Sequence, residues 1–228
     1  MNSLQATEKS FRHATRIQNS VTSAPERRAL LWLAAHMPAA INSDHLTLLG
    51  FAAMFLAGCC YAAAHWTPWG LLLATLCLAI NWFGDSLDGT LARFRNRQRP
   101  RYGFYVDHMI DSFGALFLMA GLGASGYVDW RIAAGMLVAF LLLSIETYLA
   151  SYTLGIFRLS FAKFGPTELR ILLSLGNIVL FFHPDSHVPG LPYRMLDFGG
   201  AIAIAAMFVM AAVAAIAHTR QLYREETI

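Results

Sequence analysis

Charge is scarce in this chain. Asp, Glu, Lys and Arg make up only 14% of its 228 residues and hydrophobic residues 57%, where soluble domains carry about 25% charge. A chain solvated on every side is therefore excluded. Cysteine is nearly absent: Cys59, Cys60 and Cys77 all fall in apolar runs, without metal-ligand or paired spacing, which excludes a disulfide-stapled or zinc-held scaffold. There is no repeat with a period of roughly 20 to 50 residues and no low-complexity tract, so one domain is expected. The first 24 residues carry no signal-peptide pattern, and the first apolar span is expected to act as its own insertion signal.

What is present instead is a series of apolar runs near the ~18 residues needed to cross a bilayer. Six spans are expected: Leu46 to Ala64, Pro68 to Phe83, Ser112 to Val128, Trp130 to Phe157, Leu169 to Phe182 (beginning near Pro166), and Phe198 to Ala217. With six spans both termini share one side. That side receives 15 of the 17 Lys and Arg, and only Arg131 and Arg194 fall opposite. Cytoplasmic loops carry such an excess, so both termini are expected in the cytoplasm, the setting being a bacterial inner membrane. The net charge of +3 then reflects topology and attraction to anionic lipid headgroups, not a nucleic-acid partner.

Residues 1–24 read as a mobile polar tail and 25–228 as the membrane domain, with spans over about 44–220. The segment PERRALLWLAAHMPAAI, residues 25–41, sets Leu30, Leu31, Leu33, Ala34 and Met37 along one side after the basic pair Arg27 and Arg28. It reads as an amphipathic helix lying in the cytoplasmic interface. The fold class is thus all-α: an integral membrane protein of six transmembrane helices with an N-terminal interfacial helix.

The acids stand out against this background. In DSLDGTLARFRNRQRPRYGFYVDHMIDSFG, residues 85–114, four aspartates lie between two apolar runs. Asp85 and Asp88 are i, i+3, while Asp107 and Asp111 are i, i+4, so each pair shares a helix face. Two antiparallel neighbours would aim four carboxylates at one another. Such a group repels itself at a depth where even one charge costs several kcal/mol, so it requires a compensating cation or strongly shifted pKa values, and a hard divalent metal is the economical answer. Oxygen donors suit Mg²⁺, Mn²⁺ or Ca²⁺. Small residues alongside, Gly84, Gly89, Ala92 and Gly103, permit close approach of a ligand or of another helix. Carboxylates at a helix end with Arg93 beside them suggest a diphosphate whose bridging bond is broken.

The order D-x-x-D-G-x-x-A-R, a spacer, then G-x-x-x-D-x-x-x-D, here Asp85, Asp88, Gly89, Ala92, Arg93, Gly103, Asp107 and Asp111, resembles the signature of the CDP-alcohol phosphotransferase family. The spacer is one residue longer than the family's usual one, and the surplus is expected in the Arg-rich loop near Pro100. The resemblance covers the chain from about residue 25. It implies transfer of a phosphoryl-alcohol group from a CDP-linked donor to a lipid or alcohol acceptor with release of CMP. By motif position Asp85, Asp88 and Asp107 would hold one or two Mg²⁺ or Mn²⁺ ions, and Asp111 would complete the metal shell or take the acceptor proton. Gly89, Ala92 and Gly103 would admit the cytidine, and Arg93 would support acids or phosphates. SDHLTLLG, from Ser43, is similar to the family's entry into its first span, which implies nucleotide contact for Asp44. A homodimer is implied too, with Gly121, Gly123 and Gly126 available for close packing.

Two features separate the family's branches. His108 follows the third acid, in a form that looks like that of choline and ethanolamine phosphotransferases. Glu168 in GPTELR resembles a segment of the same enzymes in which a His and Glu pair deprotonates the lipid hydroxyl. On these features a CDP-amino alcohol with diacylglycerol is preferred. The alternative is a CDP-diacylglycerol user acting on a soluble alcohol such as glycerol phosphate, inositol phosphate or serine. For that branch Arg158, Lys163 and Arg170 would receive an anionic acceptor. A third reading, an ion-coupled transporter, also places acids in the membrane. It is opposed by the clustering of the acids at one end and by the five arginines from Arg93 to Arg101. Glu146, deep in an apolar run, has no assigned role beyond a contact with another helix.

Overall fold

The structure is a computed structural model that describes residues 15–17, 23–158, 166–188, 190 and 192–226. It is helical, with seven helices among the described residues: α1 (Ser23–His36), α2 (Ser43–Ala63), α3 (Trp69–Phe94), α4 (Pro100–Ala124), α5 (Trp130–Leu154), α6 (Pro166–Phe182) and α7 (Met195–Glu225). Two three-residue strands, β1 (Thr15–Ile17) and β2 (Ile156–Arg158), pair in parallel with Thr15 opposite Ile156. β1 falls inside the expected tail, most of which lies outside the described residues.

Local chemistry sets the helix ends. Asn42 caps α2 by accepting from the His45 amide at 3.1 Å, while His45 Nδ1 accepts from the Asn42 amide at 3.4 Å. The first-turn donors are satisfied reciprocally, as in a capping box with His at the third position. Pro100 opens α4, where its missing N–H is no loss. Asp129 caps α5, and Gly155 closes it in the left-handed region at φ 69°.

Helix α2 is the axis of the bundle, packing on both α3 and α4. Glycine makes both approaches possible. A Cβ on Gly84 of α3 would fall 2.5 Å from the Leu46 carbonyl oxygen, and one on Gly121 of α4 would fall 2.0 Å from that of Gly58. Backbone therefore lies on backbone at both crossings, the mode favoured where lipid removes the hydrophobic drive for association. Gly121 is consumed inside the protomer, Gly123 meets Trp130 and Ala133, and Gly126 serves a turn at φ 82°. Of the three glycines offered for close packing in a dimer, Gly121 is thus buried within the chain. At the centre the Tyr61 hydroxyl donates to Asn177 Oδ1 and Asn177 Nδ2 donates to Thr75 Oγ1, each at 3.0 Å, tying α2, α3 and α6 together. A second apolar cluster joins Leu30 and Ala34 of α1 to Leu46, Leu87 and Leu91. Leu33 and Met37 pack on its edge, whereas Leu31 faces outward with Trp32.

Four helices, α2, α3, α5 and α7, are long and apolar enough to cross a membrane, making this a multi-pass membrane protein. The other two expected spans differ for physical reasons. α6 has 17 residues, about 25 Å of rise, and α4 carries Arg101, Asp107, His108 and Asp111 in its first half. α1 ends at His36, earlier than residue 41, because Pro38 follows.

Candidate active site

The acids come from two helices that do not pack on each other. Among the described residues α3 and α4 both lie on α2 and make no extensive contact with one another, which corrects the expected direct pairing. α2 lies between them, held close to each by glycine at the crossing. The gap is a cavity of about 30 Å³ lined by Asp85 and Asp88 of α3 and by Asp107 and Asp111 of α4. Thr47, Gly50, Phe51 and Met54 of α2 form one wall, and Asn81, Ile110, Gly114 and Arg170 complete the lining. The extra spacer residue leaves the carboxylates aligned, since residues 95–99 form a loop, with Asn96 at φ 54°, before Pro100 restarts a helix.

Two of the acids are held by uncharged or cationic partners. Arg170 Nη2 donates to Asp85 Oδ2 at 2.6 Å, from side chains only 16% and 28% exposed. Thr47 Oγ1 donates to Asp88 Oδ2 at 2.5 Å, and the Gly89 amide donates to Asp88 Oδ1. Asn81 Nδ2 donates to the Gly50 carbonyl at 3.0 Å. Its Oδ1, buried in the same wall, has no hydrogen-bond partner among the described residues. A buried acceptor in that condition costs about 1–3 kcal/mol unless a ligand or water meets it.

The lining thus sets four carboxylates against one guanidinium, with an amide oxygen left over. In donor type this fits a hard divalent cation. The cavity volume, about 30 Å³, is that of a water-sized guest. Among the described residues no three His, Cys, Asp or Glu side chains converge on a common point; Arg170 and Thr47 hold Asp85 and Asp88.

A second, wider groove of about 360 Å³ opens at the same end, lined by Asn42, Ser43, Asp44, Leu91, Ala92, Arg95, Arg97, Gln98 and Arg99. It gathers Asp44 and Ala92, two of the expected nucleotide contacts. Asp44 pairs with Arg99. The others are placed differently. Gly89 faces the Arg93 guanidinium, which donates from Nη2 to Thr90 Oγ1 at 3.2 Å, and Gly103 has open space around it. Gly84, counted with the ligand-admitting residues in the sequence, serves the α2 crossing instead.

The expected His and Glu pair is not part of the cavity lining. His108 is stacked between Phe104 and Tyr148, with ring centroids at 4.1 and 4.6 Å, and Glu168 lies in the first turn of α6. Of the three basic acceptor candidates Arg170 lines the cavity. Arg158 lies in β2, and Lys163 lies outside the described residues. Sequence reasoning missed Thr47, Asn81 and Gly114. Asn81 precedes Asp85 by four residues and Gly114 follows Asp111 by three, so the stripe of each acid pair, extended one turn, reaches both.

Comparison with known proteins identifies the family. The family model described as CDP-alcohol phosphatidyltransferase matches residues 40–219. Similar proteins include an uncharacterized protein of Aquifex aeolicus, 35% identical over 116 residues, covering 48% of this chain and 57% of that one. Another is the archaetidylinositol phosphate synthase of Pyrococcus horikoshii, 31% identical over 113 residues, covering 50% of this chain and 53% of that one. The chain spans about half the length of the curated relatives it matches. Because the matched region contains both acid pairs, the walls of their cavity and the groove beside it, the chain belongs to the CDP-alcohol phosphatidyltransferase family.

Proposed function

We propose that the protein transfers a phosphatidyl-type group from a CDP-linked lipid to the hydroxyl of a soluble, anionic alcohol, inositol phosphate being the first candidate, and releases CMP. The observation that carries this reading is the single cavity shared by Asp85, Asp88, Asp107, Asp111 and Arg170. The name of the Pyrococcus relative speaks for a CDP-diacylglycerol-type donor. That replaces the preference for choline or ethanolamine drawn from His108 and Glu168, neither of which lines the cavity.

In this mechanism Asp85, Asp88, Asp107 and Asp111 would hold one or two Mg²⁺ or Mn²⁺ ions. When bound, these supply Lewis-acid stabilisation of charge on the diphosphate. The acceptor oxygen attacks the lipid-bearing phosphorus, the bond to the bridging oxygen breaks, and CMP leaves with that oxygen. Asp111, on the cavity wall, takes the hydroxyl proton. Thr47 orients Asp88 through its hydroxyl. Arg170, with Arg158 and Lys163, steers the anionic acceptor. The groove holding Asp44 and Ala92 receives the cytidine, with Gly89, Arg93 and Gly103 at its approach. The reaction would run at the cytoplasmic face of a homodimer with six spans, α4 and α6 crossing with their neighbours, α1 in the interface and both termini inside.

The decisive experiment incubates purified protein with CDP-diacylglycerol plus inositol phosphate, glycerol phosphate or serine, and separately with CDP-choline plus diacylglycerol, with Mg²⁺, Mn²⁺ or EDTA. CMP release and a lipid product from the first set, abolished by EDTA, are expected. Turnover only with CDP-choline would overturn the donor assignment, and turnover in EDTA would overturn the metal.

A further inference from the structure

Glu26, in the first turn of α1, is tied to two other helices. Its Oε1 accepts from Trp82 Nε1 at 2.8 Å, from Thr167 Oγ1 at 2.8 Å and from Ser86 Oγ at 3.4 Å. Trp82 and Ser86 bracket Asp85 on α3, and Thr167 precedes Arg170 by one turn of α6. One carboxylate oxygen thus grips the two helices a turn away from the contact that Arg170 makes with Asp85. Hydrogen bonds to an ionised acceptor are about twice as strong as neutral ones, and they lie in a partly buried site where water competes poorly.

The other anchors of α1 do not do this. Leu30 and Ala34 pack on α2 and α3. Arg95 donates from α3's end to the carbonyls of Ile41, Met37 and Pro38 at 2.5, 2.8 and 3.0 Å. These fix the surface helix to the bundle's axis without reaching α6. Glu26 makes a polar link from α1 to α6. The polar ties of α6 to α3 are Arg170 to Asp85, one turn beyond Thr167, and Asn177 to Thr75, about ten residues beyond it, so the contact through Glu26 is the one at the helix's first turn.

We propose that Glu26 is a positioning residue: it clamps the first turn of α6 to α3 so that Arg170 stays on Asp85, making the interfacial helix a working part of the site. The catalytic side of this inference rests on the transferase reading, but the clamp itself does not. In full-length protein, Glu26→Ala should raise backbone hydrogen exchange across residues 166–174. Glu26→Gln, which keeps an acceptor oxygen, should restore much of the protection. Thr167→Val and Trp82→Phe each remove one leg with little change in shape, and they keep the test open should Glu26→Ala not fold.

In turnover, Glu26→Ala should cost about 10–100-fold, as loss of outer contacts that orient site groups does. Its effect should largely vanish in an Arg170→Ala background, because residues acting through one another are not additive. Unchanged exchange in Glu26→Ala, Thr167→Val and Trp82→Phe overturns the clamp. Additive losses overturn its action through Arg170. Altered exchange in a protein that never releases CMP would uphold the clamp and sink the transferase reading instead.

Discussion

Two of the places where the bundle holds partly buried acids are built differently. Between α5 and α7, Glu146 Oε1 and His218 Nδ1 lie 2.5 Å apart, with side chains 13% and 19% exposed. One acid meets one partner, and nothing is left over. Between α3 and α4, four carboxylates share a cavity with one guanidinium, beside an amide oxygen without a partner. A closed pair is what a helix interface needs when a polar group must lie in lipid. An open excess of one charge calls for a guest cation or for protonation of some of its carboxylates. The difference separates architecture from function where composition alone does not, since each is a case of acids in an apolar helix.

The largest effect should come from the open site. Asp88→Asn keeps the shape and an acceptor for Thr47 but removes a charge, and turnover should fall by about 10²–10³, the loss typical of one preorganised electrostatic group. Thermal stabilisation of the wild-type protein by Mn²⁺ should shrink with it. Full activity in Asp88→Asn would erase the contrast between the two acid sites.

Next comes the scaffold that holds the gap open. Gly121→Ala would place a carbon 2.0 Å from the Gly58 carbonyl oxygen, so α4 must move off α2. A loss near 3 kcal/mol, the upper end for overpacking, is expected in thermal unfolding in detergent, together with loss of activity because α4 carries two of the acids. His218→Leu should cost less, about 1–2 kcal/mol for the stranded Glu146, with turnover per folded molecule unchanged. Replacing both Glu146 and His218 by Leu should recover most of that stability. A drop in turnover at unchanged stability would mean that the closed pair is functional after all.

How much of this was legible in the sequence follows from the range of each interaction. Periodicity is local, so the helices, the shared faces of Asp85 with Asp88 and of Asp107 with Asp111, and the cap at Asp129 can be read from spacing. The loop around Pro100 can be read from its composition. Which helix lies between which is not local. That α2 separates α3 from α4 depends on Gly50 and Gly58 meeting Gly84 and Gly121, residues 34 and 63 positions apart in the chain. Glu146 was conspicuous, but its partner is 72 residues away. His108 follows Asp107 in sequence, a rotation of about 100° on a helix, and its ring packs against Phe104 and Tyr148, which spacing alone does not foretell. Thr47 stood in a motif whose resemblance drew attention to Asp44 instead.

The smallest effect should be the most telling about environment. Asp44 with Arg99 and Asp85 with Arg170 are the same chemical pair, yet the first has side chains 45% and 51% exposed and the second 28% and 16%. Water already solvates Asp44 and Arg99, and an exposed pair of this kind is worth about 0–1 kcal/mol. Arg99→Ala should therefore shift unfolding by less than about 0.5 kcal/mol, and added salt should shrink even that difference. Arg170→Ala leaves the cavity's four carboxylates without their lining cation, so its loss of stability should exceed that of Arg99→Ala and should be reversed in large part by Mg²⁺ or Mn²⁺. Equal losses for the two arginines, indifferent to divalent ions, would show that the cavity is as wet as the surface and that its charges need no guest.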